Sequence, residues 1–253
     1  MRYILSHPRL TKSAKPLAEA ISKRVGEQIF VSKVPLKGHK LAVRFGNSTI
    51  FPNMEDTNYN APDDIMIAGN KQTLSNYLNL PENKHIKQVE LFKYPTHPIM
   101  FPLVVRSELN RGGGIGIKIV ETMEEYDKYK GNFWSYWYNF QFELGVHVLG
   151  GEIKKVFKKV RAVGLEEEKY PIRNTQRGYS FKIKPHWNEN YRGLQRFVDG
   201  LYKVFPIQFA RLDIGYDKVT GGFRLIEINS APDLSQNINT LEVYAKFLAE
   251  RII

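Results

Sequence analysis

The stretch "FRLIEINSAPDL", residues 223–234, decides the fold because it combines a strand pattern with polar groups on one face. Side chains alternate across a β-strand, so the pattern places Glu227 and Asn229 on the same face as Leu225. Gly-Gly before the strand and Ala-Pro after it mark its two ends. An unpaired carboxylate away from water is costly, so Glu227 requires water, a cation of the chain or a metal ion.

A second polar strand lies immediately upstream, in "FARLDIGYDKVTGG". Arg211 and Asp213 share one face of this strand, and "DKVTGG" predicts the turn of a hairpin. The hairpin would bring Asp213 close to Glu227 and Asn229, with Arg211 beside them. Oxygen ligands on rigid strands suit Mg²⁺, which is usually held by one or two carboxylates plus substrate phosphates. Two interpretations remain open at this point: a magnesium site, or a structural pair of Arg211 and Glu227 on a solvated face.

Length and composition bound the class of protein. The 253 residues allow one large domain or two to three small ones, and 42% hydrophobic residues are enough for a sizeable core. The apolar runs are far shorter than the roughly 18 residues of a membrane span, and the start lacks the apolar region of a signal peptide. The absence of cysteine excludes disulfides, zinc–thiolate sites and thiol nucleophiles, and it fits a cytoplasmic protein.

The chain is strongly basic, with a net charge of +11 and a pI of about 9.6. This balance favours anionic partners such as nucleotides, acidic peptides or nucleic acid. No zinc-finger or RNA-recognition motif is present, so nucleic acid is possible but not favoured. A basic surface without a dedicated partner is the alternative.

Turn residues and apolar periodicity predict a mixed α+β protein with antiparallel sheets. The predicted features are a helix over 14–26, short strands over 29–34 and 40–46, a short helix capped by Asn70, a strand–loop–strand–helix unit over 101–131, a hairpin about Gly150–Gly151, a helix over 190–205, the polar hairpin, and a final amphipathic helix over 239–253. In that final helix, Leu241, Tyr244, Leu248 and Ile252 form one apolar stripe, which predicts a core-facing side.

A glycine-rich loop, "RGGGIGIK" at 111–118, suggests phosphate binding because glycines let backbone N–H groups approach a phosphate closely. Its spacing is not that of the Walker loop. It also differs from the dinucleotide-binding loop, since a strand and not a helix follows it. A glycine loop between two strands is either a flap over a ligand or an ordinary flexible hairpin.

Taken together, these segments resemble the ATP-grasp superfamily, which includes D-alanine–D-alanine ligase, glutathione synthetase and the ribosomal-protein glutamate ligases. The resemblance covers roughly residues 65–253 and is most specific in "RLDIGYDKVTGGFRLIEINSAPDL". It implies two α+β subdomains that clasp ATP between antiparallel sheets, preceded by a short N-terminal α/β domain. The implied bounds are 1–65 for the N-terminal domain, 66–131 for the small subdomain with the glycine flap and 132–253 for the large subdomain with the metal site.

The resemblance also implies roles for individual residues. Asp213, Glu227 and Asn229 would coordinate two Mg²⁺ ions, for which Mn²⁺ could substitute. Arg211 would be the catalytic residue that steadies the reacting carboxyl group and its acyl phosphate. The nucleotide-binding residues would be Lys71, Arg106, Gly112, Gly113, Gly114, Gly116, Glu143, Arg173 and Arg177, with Asn174 as a further candidate from the same loop as the last two.

The chain departs from the family pattern in three places. Arg106 stands where a lysine normally contacts the α- and β-phosphates, although arginine also binds phosphate, and does so bidentately. No acidic residue is evident for the ribose near the adenine hinge, which is placed at about 133–137. The segment before residue 65 is short for the domain that helps bind the acceptor.

His147 shares the polar face of Glu143 and is interpreted as a structural residue.

The implied reaction is an ATP- and Mg²⁺-dependent ligation of a carboxylate to an amine through an acyl phosphate. ATP, an anionic carboxylate (an amino acid, a peptide or an acidic protein tail) and an amine acceptor would be the partners. Two other functions stay open: an ATP-grasp phosphotransferase with a hydroxyl acceptor, and a non-catalytic protein that binds a nucleotide or nucleic acid.

Overall fold

A computed structural model describes residues 1–50, 59–93, 100–107, 116–129, 133–165, 168–174, 177–183, 190–234 and 237–252. The strands are β1 (Arg2–Ser6), β2 (Ile29–Ser32), β3 (Lys40–Phe45), β4 (Leu103–Arg106), β5 (Ile117–Val120), β6 (Phe133–Tyr136), β7 (Phe140–Leu149), β8 (Glu152–Arg161), β9 (Tyr179–Ile183), β10 (Phe209–Asp217) and β11 (Gly222–Asn229). The helices are α1 (Thr11–Val25), α2 (Pro62–Gly69), α3 (Lys71–Leu78), α4 (Met123–Lys128), α5 (Tyr191–Val204) and α6 (Ile238–Ile252).

The N-terminal part is a parallel three-stranded sheet in the order β2-β1-β3, crossed by α1. Helix α1 ends at Val25 and is capped by Gly26, whose φ of +68° is a conformation that glycine adopts without steric cost. The apolar side of α1 packs against α6 in a shared core. In that core Leu17 and Ile21 from α1 meet Tyr244 and Leu248 from α6, so both ends of the described chain build the same core.

The central element is an antiparallel five-stranded sheet in the order β11-β10-β7-β8-β9. Strands β7 and β8 join at Gly150 and Gly151, both with positive φ, which confirms the predicted hairpin. One face of the sheet is covered by α5, α2 and α3, and Leu78, Leu194 and Val198 lie in this second core. The opposite face carries the polar groups of the candidate site.

The third element is an antiparallel three-stranded sheet in the order β5-β4-β6, with α4 packed against it. Strands β4 and β5 flank the glycine loop, as predicted. Strand β6 hydrogen-bonds to β4, although the predicted boundary at 131/132 puts the two strands in different subdomains. The domain bounds stay a prediction, and the pairing of β6 favours a boundary after residue 136.

Several local predictions are confirmed. The Oδ1 atom of Asn70 accepts hydrogen bonds from the backbone N–H groups of Gln72 and Thr73, so this residue caps α3. The apolar stripe predicted for α6 is buried. The overall class, α+β with antiparallel sheets, is also as predicted. Among the helices described here, none combines the length and the apolar character that a membrane crossing would need.

Candidate active site

The polar hairpin of β10 and β11 has the register that the sequence predicts. Asp213 lies directly opposite Glu227, and Arg211 lies directly opposite Asn229. The pairing shifts between Asp213 and the next residue of β10, so that Ile226 is an extra residue in β11. This β-bulge redirects the side chains that follow it.

The bulge corrects one expectation. Uninterrupted alternation would put Leu225 on the face of Glu227, but Leu225 lies in the core beneath the sheet, whereas Ile226 and Glu227 both line the cavity above it. Because the extra residue changes the phase of the strand, Leu225 and Ile228 face the core, whereas Ile226 and Glu227 face the cavity.

Each carboxylate of this pair is held by its own cation. The Nε atom of Arg211 donates to Oδ1 of Asp213 at 2.8 Å, and the Nζ atom of Lys71 donates to Oε2 of Glu227. The predicted alternative, a pair of Arg211 with Glu227 on a solvated face, is therefore wrong. Asp213 is only 6% exposed, since the sheet and the groups above it exclude water.

The two carboxylates differ in their protonation equilibria. Burial raises the pKa of Asp213, and the nearby charge of Glu227 adds to this effect although Arg211 opposes it. Burial acts in the same direction on Glu227, but the charges of Lys71 and Arg211 outweigh it and lower the pKa of Glu227 to about 2. Glu227 is therefore a carboxylate at neutral pH.

A second charged cluster surrounds Glu143 on β7. Its carboxylate accepts from Nζ of Lys159 at 2.9 Å and from Nη1 of Arg173 at 3.3 Å. Arg173 also donates to the backbone carbonyl of Phe140 at 2.7 Å. Lys159 is nearly buried, and although burial lowers its pKa, the charges of Glu143 and Asp213 raise it more, so the net shift is upward. Sequence reasoning missed Lys159.

Arg106 reaches the site from β4. Its Nη1 atom donates to Oγ of Ser135 on β6 at 2.8 Å. Its Nε atom is buried, and no group in the described part of the chain accepts a hydrogen bond from it. Burial lowers the pKa of Arg106 to about 10, so the side chain remains protonated at neutral pH. A buried donor without an acceptor is unfavourable, and an anionic ligand would satisfy it.

The ring of Phe181 on β9 lies against two of these cations. Its centroid is 4.8 Å from the guanidinium carbon of Arg211 and 5.2 Å from Nζ of Lys159. Gly145 makes room for this arrangement. A Cβ atom at that position would lie 2.9 Å from the Phe181 ring and 3.3 Å from Cδ of Arg211.

These groups surround a cavity of about 660 Å³ between the two antiparallel sheets. Most of the predicted site residues line it: Lys71, Arg106, Glu143, Arg173, Asn174, Arg211, Asp213 and Glu227. From the predicted adenine hinge, Ser135, Tyr136 and Trp137 also line it. Among the described residues, Gly116, Arg177 and Asn229 are outside this lining, and Gly112, Gly113 and Gly114 lie outside the described residues.

Two of the residues outside the lining have other contacts. Arg177 pairs with Glu168 at 3.2 Å on the surface. The Oδ1 atom of Asn229 accepts from the backbone N–H of Ala231 at 3.1 Å and so holds the turn after β11. An amide oxygen has two lone pairs, so this bond leaves Asn229 with acceptor capacity.

His147 is 4% exposed and lies beside Arg211 in the register of β7 and β10. Its Nδ1 atom is 2.9 Å from the hydroxyl of Tyr244, which donates to the backbone carbonyl of Ala210 at 3.2 Å. Burial, and secondarily the charge of Arg211, lower the pKa of His147 to about 3. The imidazole is thus neutral at ordinary pH, in line with the structural role predicted for it.

The residues present fit a nucleotide with a divalent cation. Lysine and arginine side chains surround the cavity, and the unmatched donor of Arg106 suits a phosphate oxygen. Within the described ranges, histidine and acidic side chains form no group of three or more that could hold a metal ion. Asp213 and Glu227 bring two carboxylates together, and two carboxylates are enough for Mg²⁺ where substrate phosphates complete its coordination.

The sequence matches no protein-family model and no curated protein. Comparison of the structure with solved structures gives many matches. D-alanine–D-alanine ligase from Bacillus anthracis matches with a TM-score of 0.66 at 12% identity, over 99% of this chain and 96% of that chain. N5-carboxyaminoimidazole synthetase from Staphylococcus aureus, complexed with ADP, matches with a TM-score of 0.69 at 12% identity, over 98% and 77%.

A third solved structure is the ATP-grasp ligase PsnB, complexed with a minimal precursor, Mg and ADP. It matches with a TM-score of 0.66 at 8% identity, over 100% of this chain and 97% of that chain. At these identities the likeness is one of fold, and in all three cases it extends over nearly the whole of this chain.

Proposed function

On the premise that the chain has the ATP-grasp fold, we propose that it is an ATP- and Mg²⁺-dependent ligase that joins a carboxylate to an amine and releases ADP and phosphate. One observation carries the proposal. The ion pairs Arg211–Asp213 and Lys71–Glu227 lie side by side in the cavity between the two antiparallel sheets. Two cations and two carboxylates are therefore close together at the place where the phosphates of ATP and a reacting carboxyl group would meet.

The nucleotide would occupy the end of the cavity formed by β4 and β6, which we name the nucleotide end. Val104, Ser135 and Trp137 line this end, and Arg106 extends from it toward Glu227. Lys71 and Arg106 would bind the phosphates. The glycine loop, with Gly112, Gly113, Gly114 and Gly116, would cover them, and Arg173 and Arg177 are further candidates for phosphate contacts.

Glu143 remains a proposed contact on the ATP side. Its oxygens already accept from Lys159 and Arg173. Its more direct effect is therefore to hold these two cations against the wall of the cavity, where a polyphosphate would approach them.

Asp213, Glu227 and Asn229 would hold the Mg²⁺ ions, for which Mn²⁺ could substitute. Bound Mg²⁺ supplies positive charge that neutralises the phosphate oxygens. Arg211 and Lys71 keep the two carboxylates in fixed positions on neighbouring strands.

In the first step, an oxygen of the substrate carboxylate attacks the γ-phosphorus of ATP. The bond to the β-phosphate oxygen breaks, ADP leaves with the electron pair, and an acyl phosphate forms. This step brings anions together, so cations must neutralise them and hold them in line. Lys71, Arg106 and Arg211, which line the cavity, would supply these cations.

In the second step, an uncharged amine attacks the acyl carbon. The C–N bond forms, the C–O bond to phosphate breaks, phosphate leaves with the electron pair, and the nitrogen passes one proton to the departing phosphate. Arg211 would stabilise the tetrahedral oxyanion. Closure of the glycine loop would exclude water, which otherwise hydrolyses the acyl phosphate. Neither step requires a nucleophile from the protein.

The experiment that tests this function supplies ATP and Mg²⁺ with a panel of amino acids, acidic peptides and polyols, and measures ADP release. Hydroxylamine is included to trap any acyl phosphate as a hydroxamate. ADP release together with hydroxamate from at least one acid is the expected result. ADP release with a stable phosphorylated alcohol and no hydroxamate would identify a phosphotransferase instead. Nucleotide binding without ADP release would identify a binding protein.

A further inference from the structure

The two cations that hold the carboxylate pair, Asp213 and Glu227, do so in different ways. Arg211 lies on the same strand as Asp213 and donates to both of its oxygens, from Nε at 2.8 Å and from Nη2 at 3.4 Å. Lys71 comes from another element, as the first residue of α3. Its ammonium group, at the end of a flexible stem, donates to one oxygen of Glu227. Of the two cations, Lys71 is therefore the one that can leave its carboxylate.

Lys71 also has access to the space where phosphates would bind. Its side chain is 26% exposed, compared with 18% for Arg211, and it lines the cavity together with Arg106. An ammonium group has three donors, and the bond to Glu227 uses one of them. Rotation about the bonds of the stem can turn the group from Glu227 toward a phosphate oxygen in the nucleotide end.

The charges at the carboxylate pair are balanced. The pair carries two negative charges and the cations Arg211 and Lys71 carry two positive ones, so these four groups have no net charge. Lys159 adds a positive charge whose field reaches both carboxylates. A free divalent cation would therefore gain little from approaching Glu227, because Lys71 already neutralises this carboxylate and repels a second cation.

A nucleotide changes this balance. The polyphosphate of ATP carries several negative charges, and Lys71 would turn toward them as it leaves Glu227. The carboxylate would then be available to a divalent cation that the phosphates also bind, which is the coordination that Mg²⁺ usually has in proteins. The release of Glu227 and the arrival of the other ligands of the metal would thus coincide.

We propose that Lys71 makes the metal site selective for a metal–nucleotide complex, since it protects Glu227 from free divalent cations and releases it to a cation that arrives with phosphates. This inference rests on the proposed function, because it concerns the metal site of that reaction. It makes the order of binding depend on one side chain. Without the charge of Lys71, the carboxylate pair would attract a divalent cation with no nucleotide present.

The test measures the binding of Mn²⁺ through the relaxation rate of water protons. This rate increases when Mn²⁺ is held on a protein, so it distinguishes the protein site from a Mn²⁺–nucleotide complex in solution. Wild type is expected to show little enhancement with Mn²⁺ alone and a clear enhancement once a non-hydrolysable ATP analogue is added. Lys71→Met removes the charge and keeps the stem, and it should bind Mn²⁺ alone roughly tenfold or more tightly than wild type.

Further variants make the result specific to this lysine and this carboxylate. Lys71→Arg keeps the positive charge and should behave as wild type. Lys12→Met removes an exposed lysine from the first turn of α1 and should leave Mn²⁺ binding unchanged. The double variant Lys71→Met/Glu227→Gln should lose the tighter binding, which places the metal at Glu227. Circular dichroism verifies the fold, and Lys71→Gln supplies a second neutral side chain in case Lys71→Met does not fold.

Two results overturn the proposal. One is equal binding of Mn²⁺ alone by wild type and Lys71→Met, whether weak or tight. The other is tighter binding by Lys71→Met that persists when Glu227→Gln is added.

Failure of this proposal is distinguishable from failure of the ligase reaction, because the Mn²⁺ measurement needs neither acid nor amine. Hydroxamate formation by wild type, combined with Mn²⁺ binding that ignores Lys71, removes the selectivity and leaves the ligase. Mn²⁺ binding that depends on Lys71, without hydroxamate from any acid, supports the selectivity and removes the ligase.

Discussion

Asp213 and Glu227 lie directly opposite each other on adjacent antiparallel strands, and a different element supplies the cation for each. Arg211, on the same strand as Asp213, holds that carboxylate, whereas Lys71 at the start of α3 holds Glu227. The two like charges therefore coexist because cations flank them on both sides. Loss of either carboxylate or of either cation would therefore disturb the charge balance of the other three groups.

Removal of one charge from the carboxylate pair should abolish the reaction. Asp213→Asn and Glu227→Gln keep the shape of each side chain but remove a charge that Mg²⁺ requires. Each pure variant is expected to lose ATP turnover while its circular dichroism spectrum is unchanged. Turnover near that of wild type in either variant would contradict the metal assignment, and Asp199→Asn on the exposed face of α5 serves as the control.

The unmatched donor of Arg106 predicts a loss of nucleotide affinity on truncation. Arg106→Ala should weaken ATP binding by about 1–3 kcal/mol, the scale of a charge-assisted hydrogen bond. Arg106→Lys keeps the charge and should retain part of the activity. Isothermal titration with ATP and Mg²⁺ measures the difference. An alanine variant with the affinity of wild type would show that Arg106 does not contact the nucleotide.

Arg211 should matter for chemistry more than for nucleotide binding. A preorganised donor at a developing oxyanion is typically worth about 10²–10³ in rate. Arg211→Ala is therefore expected to reduce hydroxamate formation by about that factor, with ATP affinity nearly unchanged. Single-turnover trapping with hydroxylamine measures the rate. A variant that traps hydroxamate as fast as wild type would exclude the proposed role.

A side chain at Gly145 should overpack the site, because a Cβ atom there would lie 2.9 Å from the Phe181 ring and 3.3 Å from Cδ of Arg211. Gly145→Ala is expected to cost about 1–3 kcal/mol of folding free energy by overpacking, and to lower turnover by displacing Arg211. Thermal denaturation and ADP release measure the two effects. Gly69→Ala, at a position with open space around it, is the matched control and should change neither. Turnover by Gly145→Ala equal to wild type would show that Arg211 does not depend on this packing.

Much of the fold is readable from local patterns, and the reason is physical. Alternation and turn residues predict the hairpin that pairs Asp213 with Glu227, because both signals act over only a few residues. The cap at Asn70 is predictable for the same reason. Only the resemblance to a known family identifies Lys71, since nothing within its own helix points to Glu227.

Other features depend on the exact register between paired strands, which the local sequence pattern does not fix. The pairing of Lys159 with Glu143 joins two strands through a hairpin whose own register shifts near Val148. The bulge at Ile226 leaves only a weak trace in the sequence, because two adjacent apolar residues, Leu225 and Ile226, also fit an unbroken strand. Both features appear only when neighbouring strands fix which residues lie side by side.

The shared core of α1 and α6 has a consequence for synthesis. The N-terminal sheet leaves the ribosome well before α6, yet residues of α6, such as Tyr244 and Leu248, cover the apolar side of α1. The apolar side of α1 therefore stays exposed until α6 has been synthesised and has emerged from the exit tunnel. Chains arrested before residue 238 should be clients of ribosome-associated chaperones, because contacts of such long sequence separation cannot form while the polypeptide is still growing.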